Sequence, residues 1–84
     1  MSRVTLRYWA SLRAAAGIKE ETVQADTLAT ALKEVRTRHS AGFVAVLDVC
    51  SAVVDETPVG LRDHHDVPLG DGSVVELLPP FAGG

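Results

Sequence analysis

Two alternating apolar segments at opposite ends of an 84-residue chain, with one amphipathic helical run between them, restrict the fold more than any other feature of the sequence. In Val4-Thr5-Leu6-Arg7-Tyr8-Trp9, the residues Val4, Leu6 and Tyr8 fall on one face and Thr5, Arg7 and Trp9 on the other, the period of a half-buried strand. Ser73-Val74-Val75-Glu76-Leu77-Leu78 is the second such segment. Pro79-Pro80 ends it, because two successive residues without a backbone N–H cannot continue a ladder. Between them, Asp26 and Thr27 are suitable N-caps for a run from Leu28 to about His39. Leu28, Leu32 and Val35 share one face of that run, and Lys33, Glu34, Arg36 and Arg38 fall largely on the other, as on a solvated helix face.

Shorter signals fill the intervals. Residues 10–16 are rich in helix formers and Gly17 follows where a C-cap needs a left-handed residue, which predicts a short helix. Glu20-Glu21-Thr22-Val23-Gln24 reads as a polar strand, antiparallel to the first. Ser40-Ala41-Gly42 reads as the end of the main helix, and Phe43-Val44-Ala45-Val46-Leu47 as a loop or helical turn. Residues 50–54 are β-rich, Asp55-Glu56 can turn the chain, and Thr57-Pro58-Val59 can return as a strand that Pro58 confines to an edge. Residues 61–68 are polar and irregular, and Leu69-Gly70-Asp71-Gly72 supplies turn residues before the last strand. The predicted fold is an α+β roll compatible with the β-grasp: a mixed sheet with one main helix packed on one face and the first and last strands adjacent at its centre. Residues 1–80 form the one domain, and residues 81–84 read as a flexible Gly-Gly tail.

A chain this short buries roughly 60–65% of its unfolded surface, so one thin core is the limit. The formal net charge of −3, with eight Lys and Arg scattered along the chain, carries no electrostatic footprint for nucleic acid and suits a basic partner surface. One cysteine, Cys50, precludes an internal disulfide. No stretch approaches the roughly 20 apolar residues of a membrane span. The first residues run into a strand pattern rather than a signal peptide, so the cytoplasm is the expected compartment.

The chemistry is concentrated in Pro79-Pro80-Phe81-Ala82-Gly83-Gly84. The prolines favour an extended exit, and four further residues can project roughly 13 Å. A Gly-Gly end has no Cβ and can thread a channel too narrow for side chains, presenting the Gly84 carboxylate to a bound reagent. A carboxylate with a pKa of about 3.5 is ionised at neutral pH and is a poor electrophile. Joining it to AMP creates a mixed anhydride, from which a sulfur nucleophile displaces AMP and leaves a thiocarboxylate. The chain has no Gly-rich phosphate loop, so ATP and metal chemistry belong to a partner and no cofactor of its own is expected.

These features resemble the small subunit of molybdopterin synthase, the MoaD family, within the wider ubiquitin-like sulfur carriers. The resemblance is carried by Tyr8-Trp9-Ala10-Ser11-Leu12-Arg13, the helix start at Thr27-Leu28, Val54-Asp55-Glu56-Thr57-Pro58-Val59, Pro68-Leu69-Gly70-Asp71-Gly72 and Pro79-Pro80-Phe81-Ala82-Gly83-Gly84. It implies that a ubiquitin-activating-like adenylyltransferase adenylates Gly84, which is then thiocarboxylated. The tail then enters the large subunit of molybdopterin synthase, in a heterotetramer, and sulfur passes to precursor Z. The chain would be catalytic only within that complex. Two alternatives stay open: a sulfur carrier for cysteine or thiamine thiazole synthesis, and a ubiquitin-like protein modifier or interaction module.

The resemblance makes Gly83, Ala82, Phe81, Pro80, Leu78 and Arg13 candidate partner-binding residues beside Gly84. Phe81 lies beyond the sheet and reads as a docking residue. Leu78 is open between packing and docking on the outer sheet face, and Arg13 between a family role and an ordinary surface arginine. Cys50 reads as buried packing, and His39, His64 and His65 as solvated loop histidines without metal-ligand spacing.

Overall fold

The computed structural model describes residues 1–80; the expectations for Phe81, Ala82, Gly83 and Gly84 lie outside the described residues. Along the chain run β1 (Arg3–Tyr8), α1 (Ala10–Ala16), β2 (Glu20–Gln24), α2 (Leu28–Arg38), α3 (Ala41–Leu47), β3 (Ser51–Val54), β4 (Thr57–Pro58), a 3₁₀ turn (His64–Asp66) and β5 (Val74–Leu78). The strands form one sheet in the order β2-β1-β5-β3-β4. β1 and β5 are parallel in the register Leu6 to Val75 and Tyr8 to Leu77, and the other pairs are antiparallel. This is the β-grasp arrangement, with the two most apolar strands at the centre. Val4, Leu6, Tyr8, Val75 and Leu77 turn inward, and none is more than 1% exposed.

All three helices contribute side chains to the one core. α2 contributes Leu28, Ala31, Leu32 and Val35, on the face its periodicity predicts, and starts where the Thr27 Oγ1 accepts the Thr30 N–H at 3.3 Å. α1 buries Leu12 and closes on Gly17, whose φ of 76° is the left-handed C-cap conformation.

α3 resolves the choice between loop and helical turn in favour of a helix. Ser40 does not terminate α2 for a loop to follow; its Oγ accepts the Phe43 N–H at 3.4 Å and starts a second helix. Phe43 and Leu47, four residues apart, are both buried by it. Periodicity could not separate this reading from a loop, because the run spans barely two turns and its helicity is supplied by the core it packs on.

His39 is also misplaced by the sequence reading. Its ring stacks on Phe43 at 4.2 Å and only 13% of the side chain is exposed, because the α2–α3 junction folds it under β2. His64 and His65 are exposed on the 3₁₀ turn, where the Asp63 Oδ1 accepts the His65 N–H at 2.9 Å.

Asp55 and Glu56 form the two-residue loop of the β3–β4 hairpin with φ of 47° and 72°, the twist-matched geometry that favours glycine. Asp55 justifies its place: its carboxylate accepts the Val74 N–H at 2.9 Å and the Ser73 hydroxyl at 3.0 Å, fastening the hairpin to the start of β5. Glu56 makes no such bond, and a left-handed non-glycine residue costs about 1–2 kcal/mol. After allowing for the greater freedom of an unfolded glycine, Glu56→Gly should stabilise the chain by about 0.5–1 kcal/mol, a Tm rise of roughly 2–8 °C by calorimetry. An unchanged or lower Tm would contradict this account of the loop.

Candidate functional site

Sheet register places the root of the C-terminal segment. β5 is central and ends at Leu78. Parallel pairing brings the end of β1 to the same rim, with Tyr8 beside Leu77, and antiparallel pairing brings the start of β3 there, with Ser51 beside Leu78. Pro79 is buried and Pro80 is exposed, so the backbone leaves the core at this residue pair. Trp9, just after Tyr8, and Val49, two residues before Ser51, stand partly in solvent on either side, 39% and 60% exposed.

The outer face of the sheet carries Leu78, with Val74 and Glu76 on the same strand, all three partly buried, while Val75 and Leu77 face the core. A cross-strand row runs Glu20, Arg7, Glu76, Val53, Pro58. A hollow of about 310 Å³ on this face is lined by Arg7, Asp55, Glu56, Val74 and Glu76. A second, of about 260 Å³ beside the exit, is lined by Arg7, Trp9, Arg13, Lys19 and Glu20. The net negative charge predicts a basic partner surface, yet three cations gather here, and the one carboxylate, Glu20, lies 3.5 Å from Arg7. The rim near the exit is basic although the chain as a whole is acidic.

Arg13 is half-buried and internally engaged: its Nε donates to the Tyr8 carbonyl at 3.1 Å, and its guanidinium lies 5.2 Å from the Trp9 ring centroid. Those contacts hold the β1–α1 junction, where Ala10 takes a φ of 50°. Of the candidates within the described residues, the structure brings Leu78, Pro80 and Arg13 to one end of the molecule.

The cluster that sequence reading missed lies elsewhere. The Glu21 carboxylate accepts the Tyr8 hydroxyl at 2.5 Å and Arg38 Nη1 at 3.2 Å, and contacts His39 Nε2. Burial raises the cost of charging Glu21, but hydrogen bonds from Tyr8, His39 and Arg38 outweigh it and hold the carboxyl below its usual range. Burial, and then the Glu21 carboxylate, push the Tyr8 phenol above its ordinary value. Each member is consumed by another, which suits a structural node rather than a site of turnover. No short-range signal points to it, because its members come from β1, β2 and the end of α2.

Cys50 packs against the core, its thiol 3.3 Å from the Val46 carbonyl, and burial pushes its pKa up to about 11. At neutral pH it is a protonated, poor nucleophile. Among the described residues, no group of three or more His, Cys, Asp or Glu could hold a metal, and no helix is long and apolar enough to cross a membrane.

The ThiS family model matches residues 6–84 of the sequence. No curated protein matches it. Among solved structures, small archaeal modifier protein 1 from Methanosarcina acetivorans has a TM-score of 0.84 at 18% identity, covering 100% of this chain and 98% of its own. The putative molybdopterin converting factor subunit 1 from Pyrococcus furiosus has a TM-score of 0.78 at 25% identity, covering 96% and 100%. The complex of subunits 1 and 2 of molybdopterin-converting factor from Helicobacter pylori matches with a TM-score of 0.69 at 26% identity, covering 98% and 99%.

The Glu21 node and Cys50 each generate a prediction. Because Glu21 titrates lower in the folded chain, its contribution is fully present above the unfolded pKa of about 4.3 and is lost as pH falls through the folded value. Glu21→Gln should therefore cost about 1–2 kcal/mol at pH 7 and flatten the acid side of the stability profile measured by urea denaturation. A variant that keeps the parent's acid profile would remove the node from the account. Cys50 should be alkylated by iodoacetamide more slowly than free cysteine at pH 7.5; an equal or faster rate would show a thiolate that the fold does not provide.

Proposed function

This chain belongs to the ThiS family, and from that membership we propose that it is a sulfur carrier working through the Gly84 carboxylate, as the small subunit of a molybdopterin synthase. The observation that carries the reading is the coincidence of two things. The family match runs through Gly84, and the central strand β5 delivers the chain out of the core at Pro79-Pro80, on a rim with exposed apolar groups and cations.

The chemistry follows from what the body lacks and the exit offers. An oxygen of the Gly84 carboxylate attacks the α-phosphorus of ATP on an activating enzyme, and pyrophosphate leaves. A sulfur nucleophile then adds to the acyl carbon, AMP departs, and a thiocarboxylate remains on Gly84. Inside the large synthase subunit its sulfur attacks an electrophilic carbon of precursor Z and displaces an oxygen substituent, giving a thioester whose acyl–sulfur bond water then hydrolyses, so that sulfur stays on the pterin and the Gly84 carboxylate is regenerated. Gly83 gives clearance for that passage, while Phe81, Ala82, Pro80 and Leu78 dock against the partner. ATP and its metal are handled by the activating partner. The basic rim of Arg7, Arg13 and Lys19 suits an acidic lip around the partner's channel.

The P. furiosus and H. pylori structures are named as molybdopterin converting factor subunits, and the latter is a complex of two subunits. These names support this reading. A second reading, a protein modifier joined to lysines, is favoured by the similarity in fold to the archaeal modifier.

Deleting Gly84 should abolish thiocarboxylation by the cognate activating enzyme and molybdopterin formation, while the Tm stays within about 1 °C, since a terminal residue beyond the sheet contributes little burial. Retained molybdopterin formation would defeat the proposal. Leu78→Glu, on the outer face, should lower the yield of molybdopterin by about tenfold or more with the fold retained; full activity would remove Leu78 from the docking surface.

A further inference from the structure

The sheet has two edges, and they are closed by different means. β4 is two residues long, and Pro58, opposite Val53, has no N–H to offer. β2 is five residues long and carries no proline. The β1–β2 ladder bonds the Tyr8 N–H to the Lys19 carbonyl and the Ala25 N–H to the Ser2 carbonyl. With the register of Leu6 to Glu21 and Val4 to Val23, the hydrogen-bonded pairs alternate so that the backbone groups of Glu20, Thr22 and Gln24 point away from β1. Such a row is a template for another strand.

One side chain lies across it. Arg38, in the last turn of α2, donates through Nη1 to the Thr22 carbonyl at 2.9 Å, at the middle of the exposed row. The same guanidinium is fixed on its other sides: Nη1 reaches Glu21 Oε1 at 3.2 Å, and Nε and Nη2 reach Glu34 Oε1 at 3.3 and 3.2 Å. An arginine held by two carboxylates is a stiff plug, and the planar fork sets its direction.

We infer that Arg38 guards the β2 edge against a second copy of this chain, and that without it two copies pair β2 to β2. The strand itself fits that occupant. An antiparallel pairing centred on Thr22 sets Thr22 against Thr22 and Glu20 against Gln24 on the outer face, and Glu21 against Val23 on the inner. No like charges are opposed in that register, and the outward N–H and C=O groups of all three edge residues find partners. What keeps the edge open in the parent chain is the guanidinium occupying its central carbonyl. This inference concerns assembly and stands or falls independently of the chemistry at Gly84.

The test is sedimentation equilibrium and amide hydrogen exchange on the full chain. The parent should be monomeric, with the Thr22 amide exchanging freely. Arg38→Ala should move the average mass toward twice the monomer's across a concentration series, and slow exchange at Thr22 by about tenfold or more. Arg38→Met, which keeps the helix-forming stem but no donor, serves if the alanine variant folds poorly and should behave the same way. Adding Thr22→Glu to either variant places two carboxylates face to face at the centre of the pairing and should restore the monomer. A folded Arg38 variant that stays monomeric overturns the inference, as does a dimer that survives Thr22→Glu or leaves Thr22 exchange unchanged.

Discussion

The parallel pairing of β1 with β5 is the constraint on which everything else in this chain rests. It joins the first strand to the last in parallel, so the residues between them must cross over one face of the sheet. That crossing is made by α1, α2 and α3, and it leaves the opposite face of the sheet uncovered. Leu6 against Val75 and Tyr8 against Leu77 bury this seam, with none of the four more than 1% exposed. The same pairing sends β5 outward beside the end of β1. The backbone therefore leaves the core at Pro79-Pro80 from the centre of the sheet rather than from an edge strand, which is the firm root that the proposed carrier role calls for.

Charge is divided along the same lines. Under β2, Tyr8, Arg38 and His39 converge on Glu21, so the polar groups of the interior satisfy one another and fasten the α2–α3 junction to the sheet edge. Near the exit, Arg7, Arg13 and Lys19 border a hollow with Trp9. The high pKa of the Cys50 thiol completes the division, since the body offers no competing sulfur nucleophile.

Much of the fold was legible because it is written in local period. Alternation at Val4, Leu6 and Tyr8 and again at Val75 and Leu77 predicted the two central strands. The spacing of Leu28, Leu32 and Val35 located α2, Gly17 marked the C-cap of α1, and Pro58 marked the edge. What was not legible depended on contacts distant in sequence. α3 stayed open between a loop and a helical turn because Phe43 and Leu47 acquire their helical surroundings only from the core. His39 looked like a loop histidine because its partners, Glu21 on β2 and Tyr8 on β1, come from strands that precede it by many residues. The cations around the exit were hidden by a net charge of −3, which averages over the whole chain. At the site, the motif Pro79-Pro80-Phe81-Ala82-Gly83-Gly84 pointed to the terminus directly. The partial burial of Leu78 and the internal engagement of Arg13 needed the folded chain.

The central claim is that this body exists to present an activated acyl end to another protein. Intact-mass and fragment-ion spectrometry of the chain isolated from its own cells, under conditions that preserve thioacids, tests it most directly. The account predicts a fraction heavier by the difference between sulfur and oxygen, with the added mass confined to a fragment containing Gly84. Material carrying sulfur elsewhere, or found only in isopeptide linkage to lysines of other proteins, would contradict it.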